Sequence, residues 1–183
     1  MKKLRFALIG CGRISKNHIV ASAENSEICE LVAVCDPVTE RAQQKAAQYE
    51  ELMGVRPAVY GDYKTMLEEM EIDCCAIATE SGYHAEIALY CIRHGKHVLV
   101  EKPMALSTAD ADEMIAEAKA NGVTLGYATK TVSMRPFSSC IEHWRMAVLE
   151  SWSTAQRVFS GTVRCRTMSR RLGVALGRRT AER

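Results

Sequence analysis

A charged pair stands directly after an apolar run in the stretch HVLVEKPMALS, which occupies residues 97–107. Ionisable side chains are disfavoured in a core unless they are paired, so Glu101 and Lys102 are predicted to face a ligand crevice. A lysine in such a position can give a proton to, or take one from, a substrate hydroxyl. The alternative is a surface turn in which the two side chains form a solvated salt bridge.

A glycine-rich segment, GCGRIS at residues 10–15, lies between a predicted buried strand and a predicted helix. Gly10 would allow a tight turn, and Gly12 would let the backbone approach a pyrophosphate at the amino end of that helix. Ser15 stands where a third glycine or alanine is usual, and it is small enough to fit. In this strand and helix context the segment predicts a dinucleotide site.

Asp36 ends the second predicted strand, 24 residues after Gly12. That is close to the spacing of the acid that binds the adenosine ribose in dinucleotide-binding domains. Its carboxylate would accept from the ribose hydroxyls and repel a 2′-phosphate, so NAD is the predicted cofactor. Two alternatives stay open. Asp36 could only cap the next helix, or Arg41, one helical turn away, could accommodate a 2′-phosphate and so allow NADP.

The fourth predicted strand runs into ATESGYH, residues 78–84. In doubly wound folds, the residues at the carboxyl ends of the strands face the crevice where ligands bind. Thr79 and Ser81 are therefore predicted to contact the cofactor, and His84 would open the next helix nearby. The alternative for His84 is a histidine at a helix start that meets no ligand.

Short apolar runs alternate with amphipathic stretches as far as Gly126. The apolar runs contain no polar alternation, which predicts strands covered on both sides. The fold class predicted is therefore α/β, a Rossmann-type doubly wound parallel sheet with helices on both faces, followed by an irregular tail. Ser107 is predicted to cap the last helix, and Asn121 and Gly122 to end it. Strands are predicted at residues 4–9, 30–35, 58–60, 74–78 and 97–100, with a sixth beginning at 123–125, and helices at 14–23, 38–53, 63–70, 83–94 and 107–121.

Together GCGRIS, AVCD and ATESGYHAEIALYCIRHGKHVLVEKPMALS, with their spacing, resemble the Gfo/Idh/MocA family of oxidoreductases across residues 1–126. The resemblance implies an NAD(P)-dependent enzyme that acts on sugars, inositols or nucleotide-linked sugars. The residues of these motifs are most similar to those of members that act on nucleotide-linked sugars. It also implies that Lys102 is the catalytic lysine. The residues along the dinucleotide would be Gly10, Gly12, Arg13, Ile14, Asp36, Thr79, His84 and Glu101.

The chain changes character after Gly126. Residues 1–126 carry 13 Lys and Arg against 19 Asp and Glu, whereas residues 127–183 carry 11 against 3 and lack periodicity. We expect residues 1–126 to form an NAD(P)-binding domain and residues 127–183 to be a basic tail that is disordered or out of frame. Read one frame away with permitted codons, residues 127–140 allow CHQNRFNAPVQQL, which is similar to the continuation of the family. The hypothesis is a frameshift near codons 124–127.

Members of the family carry a second α/β domain that binds the substrate and often forms the oligomer interface. Nothing in this sequence resembles that domain, so the chain is expected to bind cofactor without turnover, and a homo-oligomer is doubtful. One alternative is a non-enzymatic NAD-binding module with an interaction tail. Another, disfavoured because the arginines follow no helical stripe and have no aromatic platform, is a nucleic-acid binder. The expected partner is a small sugar or nucleotide-sugar substrate.

Composition narrows the remaining classes. No apolar run approaches the roughly 20 residues of a membrane span, and the run at residues 6–9 is too short for a signal peptide. A cytoplasmic protein with no membrane partner is therefore expected. The eight cysteines include no CxxC, and Cys35, Cys74 and Cys75 lie in strand-like runs. They are predicted to be reduced core residues, with no metal site.

Overall fold

The computed structural model describes residues 3–128 of the 183-residue chain. Within these residues, strands and helices alternate as predicted. The strands are β1 (Leu4–Ile9), β2 (Cys29–Cys35), β3 (Ala58–Tyr60), β4 (Cys74–Ile77), β5 (His97–Val100) and β6 (Leu125–Tyr127). The helices are α1 (Ser15–Glu24), α2 (Thr39–Met53), α3 (Tyr63–Glu69), α4 (His84–Arg93) and α5 (Thr108–Ala120), with a single 3₁₀ turn at Ser81–Tyr83 before α4.

The six strands form one sheet in the order β3-β2-β1-β4-β5-β6, and every neighbouring pair is parallel. The chain moves outward from β1 to β3, then crosses back to β4 beside β1 and continues to the other edge. This reversal between β1 and β4 is the switch point at which doubly wound sheets bind ligands. The predicted Rossmann-type fold is confirmed.

The last residues of four neighbouring strands stand side by side. Ile9 of β1 is in register with Cys35 of β2 and with Ile77 of β4, and Ile77 is in register with Val100 of β5. The residues that follow these strand ends are Gly10, Asp36, Ala78 and Glu101. Segments that are far apart in sequence therefore leave the sheet at one edge, which is the edge where the sequence motifs fall.

Both faces of the sheet are covered. Ala7 and Ile9 belong to a buried apolar cluster with residues of α3, α4 and α5. Their neighbours Phe6 and Leu8 are also buried but lie outside that cluster, as expected of side chains on the opposite face. On that face α1 packs against α2. The six cysteines of residues 3–128 are all buried free thiols, which agrees with the predicted core role.

Local chemistry fixes the helix ends. Ser107 accepts a hydrogen bond from the Asp110 N–H at 3.1 Å and caps α5, as predicted. Asp62 caps α3 in the same way through the Thr65 N–H at 3.0 Å. Gly122, with a φ of 67°, follows α5 in the left-handed conformation that ends many helices.

The sixth strand begins later than predicted. The Val123 N–H still bonds the Ala118 carbonyl at 3.0 Å, because it completes the end of α5 rather than starting the strand. Pairing begins with Leu125 beside Val98 and continues to Tyr127 beside Val100. Parallel pairing therefore runs to Tyr127, one residue past the predicted change at Gly126.

The predicted basic tail falls almost entirely outside the part of the chain that the structure describes. Its first two residues, Tyr127 and Ala128, are described, and the Ala128 N–H donates to the Val100 carbonyl at 2.8 Å. The hypotheses about residues 129–183, including the frameshift, stay predictions. None of the helices described is long and apolar enough to cross a bilayer.

Candidate functional site

The glycine turn, residues 10–15, joins β1 to α1 at the switch point. Gly10 has a φ of +96°, and a Cβ built on it would lie 2.6 Å from the backbone of Ala78 and Thr79. Its N–H donates to the Cys35 carbonyl at 2.8 Å. Only glycine fits here, because both the backbone conformation and the contact with the end of β4 exclude a side chain.

Gly12 differs from Gly10. A Cβ at Gly12 would meet nothing within 4 Å, so the described protein atoms do not themselves demand a glycine there. A position open on the protein side leaves room for a ligand to approach the backbone. Gly10 is therefore required by the fold itself, whereas Gly12 leaves space in which a ligand could approach the backbone.

The amino end of α1 suits an anion. The N-cap residue Ile14 forms no side-chain capping bond, and the first turn contains no acidic residue. Free N–H groups at a helix start bind phosphate groups well. Ser15 is fully buried, and its hydroxyl donates back to the Gly12 carbonyl. The predicted residues Arg13 and Ile14 are both exposed beside this helix start.

Asp36 joins the glycine turn to the end of β2. One carboxylate oxygen accepts from the Cys11 N–H and the other from the Val38 N–H, each at 2.8 Å. The side chain is therefore more than a cap for α2, the alternative raised from the sequence. Each oxygen retains a further lone pair for a ribose hydroxyl. Arg41, which the sequence suggested as an aid to a 2′-phosphate, is exposed on α2.

The segment after β4 contains three predicted site residues in different settings. Thr79 and Ser81 are partly exposed, and Ser81 opens the 3₁₀ turn that leads into α4. His84 is only 1% exposed. Its Nδ1 lies 2.7 Å from the Pro103 carbonyl oxygen, and its Nε2 lies 3.1 Å from that of Thr79. His84 thus joins the loops that follow β4 and β5.

Glu101, Lys102 and Pro103 form the lysine turn after β5. The Glu101 N–H donates to the Ile77 carbonyl at 2.9 Å, which fixes the start of the turn to the end of β4. The Lys102 side chain is exposed, and the peptide bond between Lys102 and Pro103 is cis. Because it follows the carboxyl end of β5, Lys102 lies at the same edge of the sheet as the glycine turn.

The Glu101 carboxylate has two partners on separate elements. One oxygen lies 3.0 Å from Nε2 of His18 on α1, and the other accepts from the Lys102 N–H at 3.3 Å. Burial by itself raises the pKa of Glu101, but the hydrogen bond and charge of His18, together with Lys102, outweigh burial and hold that pKa below its ordinary value. The ionised form of Glu101 is thus favoured although its side chain is only 14% exposed.

His18 is a residue that the sequence motifs missed. It is 5% exposed on α1, one helical turn after the buried Ser15, on the face that packs against the sheet. A histidine on a buried helix face needs a polar partner, which is the signal that could have identified it. The partner, Glu101, is 83 residues away and could not be assigned from spacing.

A concavity lies at the end of the sheet opposite to the predicted site residues. It encloses about 410 Å³ and is lined by residues near the amino ends of β1 to β3, among them Arg5, Leu31, Tyr49 and Arg56. None of the predicted site residues lines it. In residues 3–128, no three His, Cys, Asp or Glu side chains are grouped so that they could hold a metal ion.

Residues 4–129 match the model of the Gfo/Idh/MocA oxidoreductase family, described as having an NAD-binding Rossmann fold. The chain belongs to this family. Its relatives include the scyllo-inositol 2-dehydrogenase (NADP(+)) IolU of Bacillus subtilis, 36% identical over 140 residues. A myo-inositol 2-dehydrogenase of Thermotoga maritima is 31% identical over 122 residues. Both of these relatives are named as dehydrogenases.

The shared region is the amino-terminal part of longer relatives. The alignment with IolU covers 76% of this chain but 41% of IolU, and the alignment with the Thermotoga maritima enzyme covers 67% and 35%. The chain therefore spans about two fifths or less of these two proteins. More than half of each of these two relatives therefore lies outside the alignment.

Solved structures of relatives share this fold. The WlbA dehydrogenase from Bordetella pertussis, in complex with NADH and UDP-GlcNAcA, superposes with a TM-score of 0.61 at 34% identity, covering 79% of this chain and 43% of WlbA. KijD10, a 3-ketoreductase from Actinomadura kijaniata in complex with TDP-benzene and NADP, gives 0.59 at 27% identity, covering 69% and 38%. Structural neighbours thus hold NADH or NADP, and the family cofactor is NAD(P).

Proposed function

We propose that residues 3–128 form the cofactor-binding part of an NAD(P)-dependent oxidoreductase whose proton-transfer residue is Lys102. The reaction class is hydride transfer at a hydroxyl-bearing carbon of a sugar, an inositol or a nucleotide-linked sugar. The observation that carries the proposal is the row of strand ends, because it brings the glycine turn, Asp36 and the lysine turn to one edge of the sheet.

The residues of this edge fit a dinucleotide. The uncapped start of α1 and the open position at Gly12 would receive the pyrophosphate. Asp36, fixed by two backbone N–H groups, would accept from the adenosine ribose. Thr79 and Ser81, partly exposed after β4, would contact the cofactor from that loop. When bound, the nicotinamide ring of the cofactor supplies the hydride acceptor or donor.

NAD is the proposed cofactor in preference to NADP. The Asp36 carboxylate would repel a 2′-phosphate at the position where it would bind the ribose hydroxyls. The relatives do not decide the matter, since IolU is named for NADP(+) and KijD10 is solved with NADP, whereas WlbA is solved with NADH. The preference rests on Asp36 alone.

Lys102 would hold or accept the substrate proton at its Nζ atom. General acid–base catalysis by lysine is efficient when the ammonium group is desolvated or lies near another charge. Among the described residues, nothing buries Lys102, whose side chain is exposed. Within residues 3–128 no second wall faces Lys102, so we propose that these residues alone bind the cofactor and do not complete a site that orients the reacting carbon.

A fluorescence titration of the full chain with NADH, repeated with NADPH, tests the cofactor proposal. Saturable binding with NADH preferred supports it, and no binding of either nucleotide contradicts it. Turnover is measured separately with scyllo-inositol, myo-inositol and UDP-GlcNAcA, for wild type and Lys102→Ala. Measurable wild-type turnover that persists unchanged in Lys102→Ala would remove Lys102 from the mechanism.

The competing hypothesis of a non-enzymatic NAD-binding module gains support from the same exposure of Lys102. It predicts that Lys102→Ala leaves NADH binding unchanged and that no substrate of these classes is turned over. The nucleic-acid hypothesis concerns the basic tail, whose residues 129–183 lie outside the described part of the chain. Salt-dependent binding of arbitrary DNA by the full chain would support it.

A further inference from the structure

The lysine turn is approached by two buried histidines from different helices. His84, at the start of α4, places Nδ1 2.7 Å from the Pro103 carbonyl oxygen. His18, on α1, places Nε2 3.0 Å from a Glu101 carboxylate oxygen. The exposed Lys102 therefore lies between two residues whose polar atoms are each held by an imidazole.

Each histidine uses a different ring nitrogen towards the turn. For His84 the nitrogen that faces the Pro103 carbonyl oxygen is Nδ1, while Nε2 faces the Thr79 carbonyl oxygen at 3.1 Å. For His18 the nitrogen that faces Glu101 is Nε2.

We propose that His84 and His18 are positioning residues that fix the lysine turn from two sides and so set where Lys102 stands. Both act through neighbours of the lysine, His84 through the Pro103 carbonyl and His18 through the Glu101 carboxylate. The inference rests on the proposed function in one respect, because a lysine that transfers a proton must have a fixed position. The contacts themselves do not depend on that function.

The Glu101 carboxylate extends the hold of His18 to the backbone of Lys102. One oxygen faces His18, and the other accepts from the Lys102 N–H at 3.3 Å. Turning the carboxylate away from His18 would therefore also disturb the backbone bond at Lys102. At the preceding residue the Glu101 N–H bonds the Ile77 carbonyl at 2.9 Å, so the start of the turn is fixed by the sheet and its exposed part by the histidines.

Amide side chains provide matched variants. The terminal nitrogen of asparagine lies where Nδ1 of histidine lies, whereas that of glutamine lies nearer to Nε2. His84→Asn should retain the donor to Pro103, and His84→Gln should lose it. For His18 the order reverses, since His18→Gln should retain the contact with Glu101 and His18→Asn should lose it. A role that required only a polar side chain would not reverse in this way.

The test is competitive acylation of the full chain with acetic anhydride, followed by peptide mass spectrometry. The rate at Lys102 is divided by the rate in the denatured chain, and the exposed Lys64 provides an internal control. We expect His84→Gln and His18→Asn to change the Lys102 ratio several-fold, while His84→Asn and His18→Gln stay within about twofold of wild type. The Lys64 ratio should stay constant throughout.

Equal Lys102 ratios in all four variants and wild type would overturn the proposal, as would the same order of Asn and Gln at both positions. If His84→Gln does not fold, the His18 pair still decides whether the turn is held from α1. NADH titration of the same variants reports the proposed function separately. If wild type does not bind NADH but the acylation rates follow the expected order, the proposed function is refuted and the positioning roles of His84 and His18 still stand.

Discussion

The Asp36 carboxylate accepts a hydrogen bond from the Cys11 N–H at 2.8 Å, so the acid after β2 and the glycine turn after β1 form one unit. Its other oxygen accepts from Val38 at the same distance. The residue that would select the cofactor ribose therefore also shapes the turn that would receive the pyrophosphate. Substitutions at Asp36 should affect both properties together.

Asp36→Asn should weaken NADH binding by roughly tenfold and narrow the difference between NADH and NADPH. An amide has only one acceptor oxygen, so one of the two backbone N–H groups would face an NH₂ group, and stability should fall by about 1–3 kcal/mol. Paired NADH and NADPH titrations with urea unfolding measure both effects. Asp112→Asn, on α5, is the control and should change neither. A shift in nucleotide preference with no loss of stability would contradict the shared role.

Gly10→Ala and Gly12→Ala should separate folding from binding. At Gly10 the φ of +96° and the 2.6 Å approach to the backbone of Ala78 predict a loss of about 2–4 kcal/mol. At Gly12 a Cβ meets nothing within 4 Å, so stability should hardly change while NADH affinity falls. Urea unfolding and NADH titration distinguish the two. A strongly destabilised Gly12→Ala would show that the position matters to the fold.

Glu101 should contribute stability that depends on pH. Because its pKa in the folded chain lies below the ordinary value, the contribution is present at neutral pH and is lost as the pH falls through the acid range below about 5. The difference in unfolding free energy between wild type and Glu101→Gln should therefore shrink on acidification. Urea unfolding across that range measures it. A difference that grows towards low pH would mean that folding raises the pKa of Glu101 instead of lowering it.

Cys11 should be unreactive despite its place in the glycine turn. Burial, and then the nearby Asp36 charge, raises the pKa of its thiol to about 12, and only the thiolate reacts readily with alkylating reagents. Iodoacetamide should label Cys11 slowly in the native chain and rapidly in urea, as read by peptide mass spectrometry. The fully buried Cys74 is the internal comparison. Fast native labelling of Cys11 alone would indicate that the turn opens.

Much of the sheet was predictable because buried parallel strands are continuous apolar runs. β1, β3 and β5 have the predicted bounds, and the other strands differ by a few residues at most. The largest difference is β6, where a backbone bond from Val123 to α5 delays the strand. A hydrogen bond that completes a helix leaves no trace in hydrophobic periodicity, so this boundary could not be read from sequence.

For the candidate site, the sequence was enough to suggest residues that belong to local motifs, but not contacts between residues that are far apart in the chain. Gly10 and Asp36 follow strands, and spacing along the chain was enough to nominate them. The hold of Glu101 by His18 joins residues 83 positions apart. The expectation that His84 lies along the cofactor stays a prediction, and the contacts of its ring with the Pro103 and Thr79 carbonyl oxygens could not be predicted from spacing. Such contacts arise only once β1, β4 and β5 are neighbours.

The helices that carry the two histidines lie on opposite faces of the sheet, as the reversal between β1 and β4 requires. The lysine turn is thereby tethered to both helical layers at once. A phosphate bound at the amino end of α1 would contact the same helix whose His18 contacts Glu101. From the opposite face of the sheet, His84 of α4 contacts Pro103. If Lys102 is the proton-transfer residue, as proposed, then binding of the cofactor and the rigidity of Lys102 would depend on the same set of contacts.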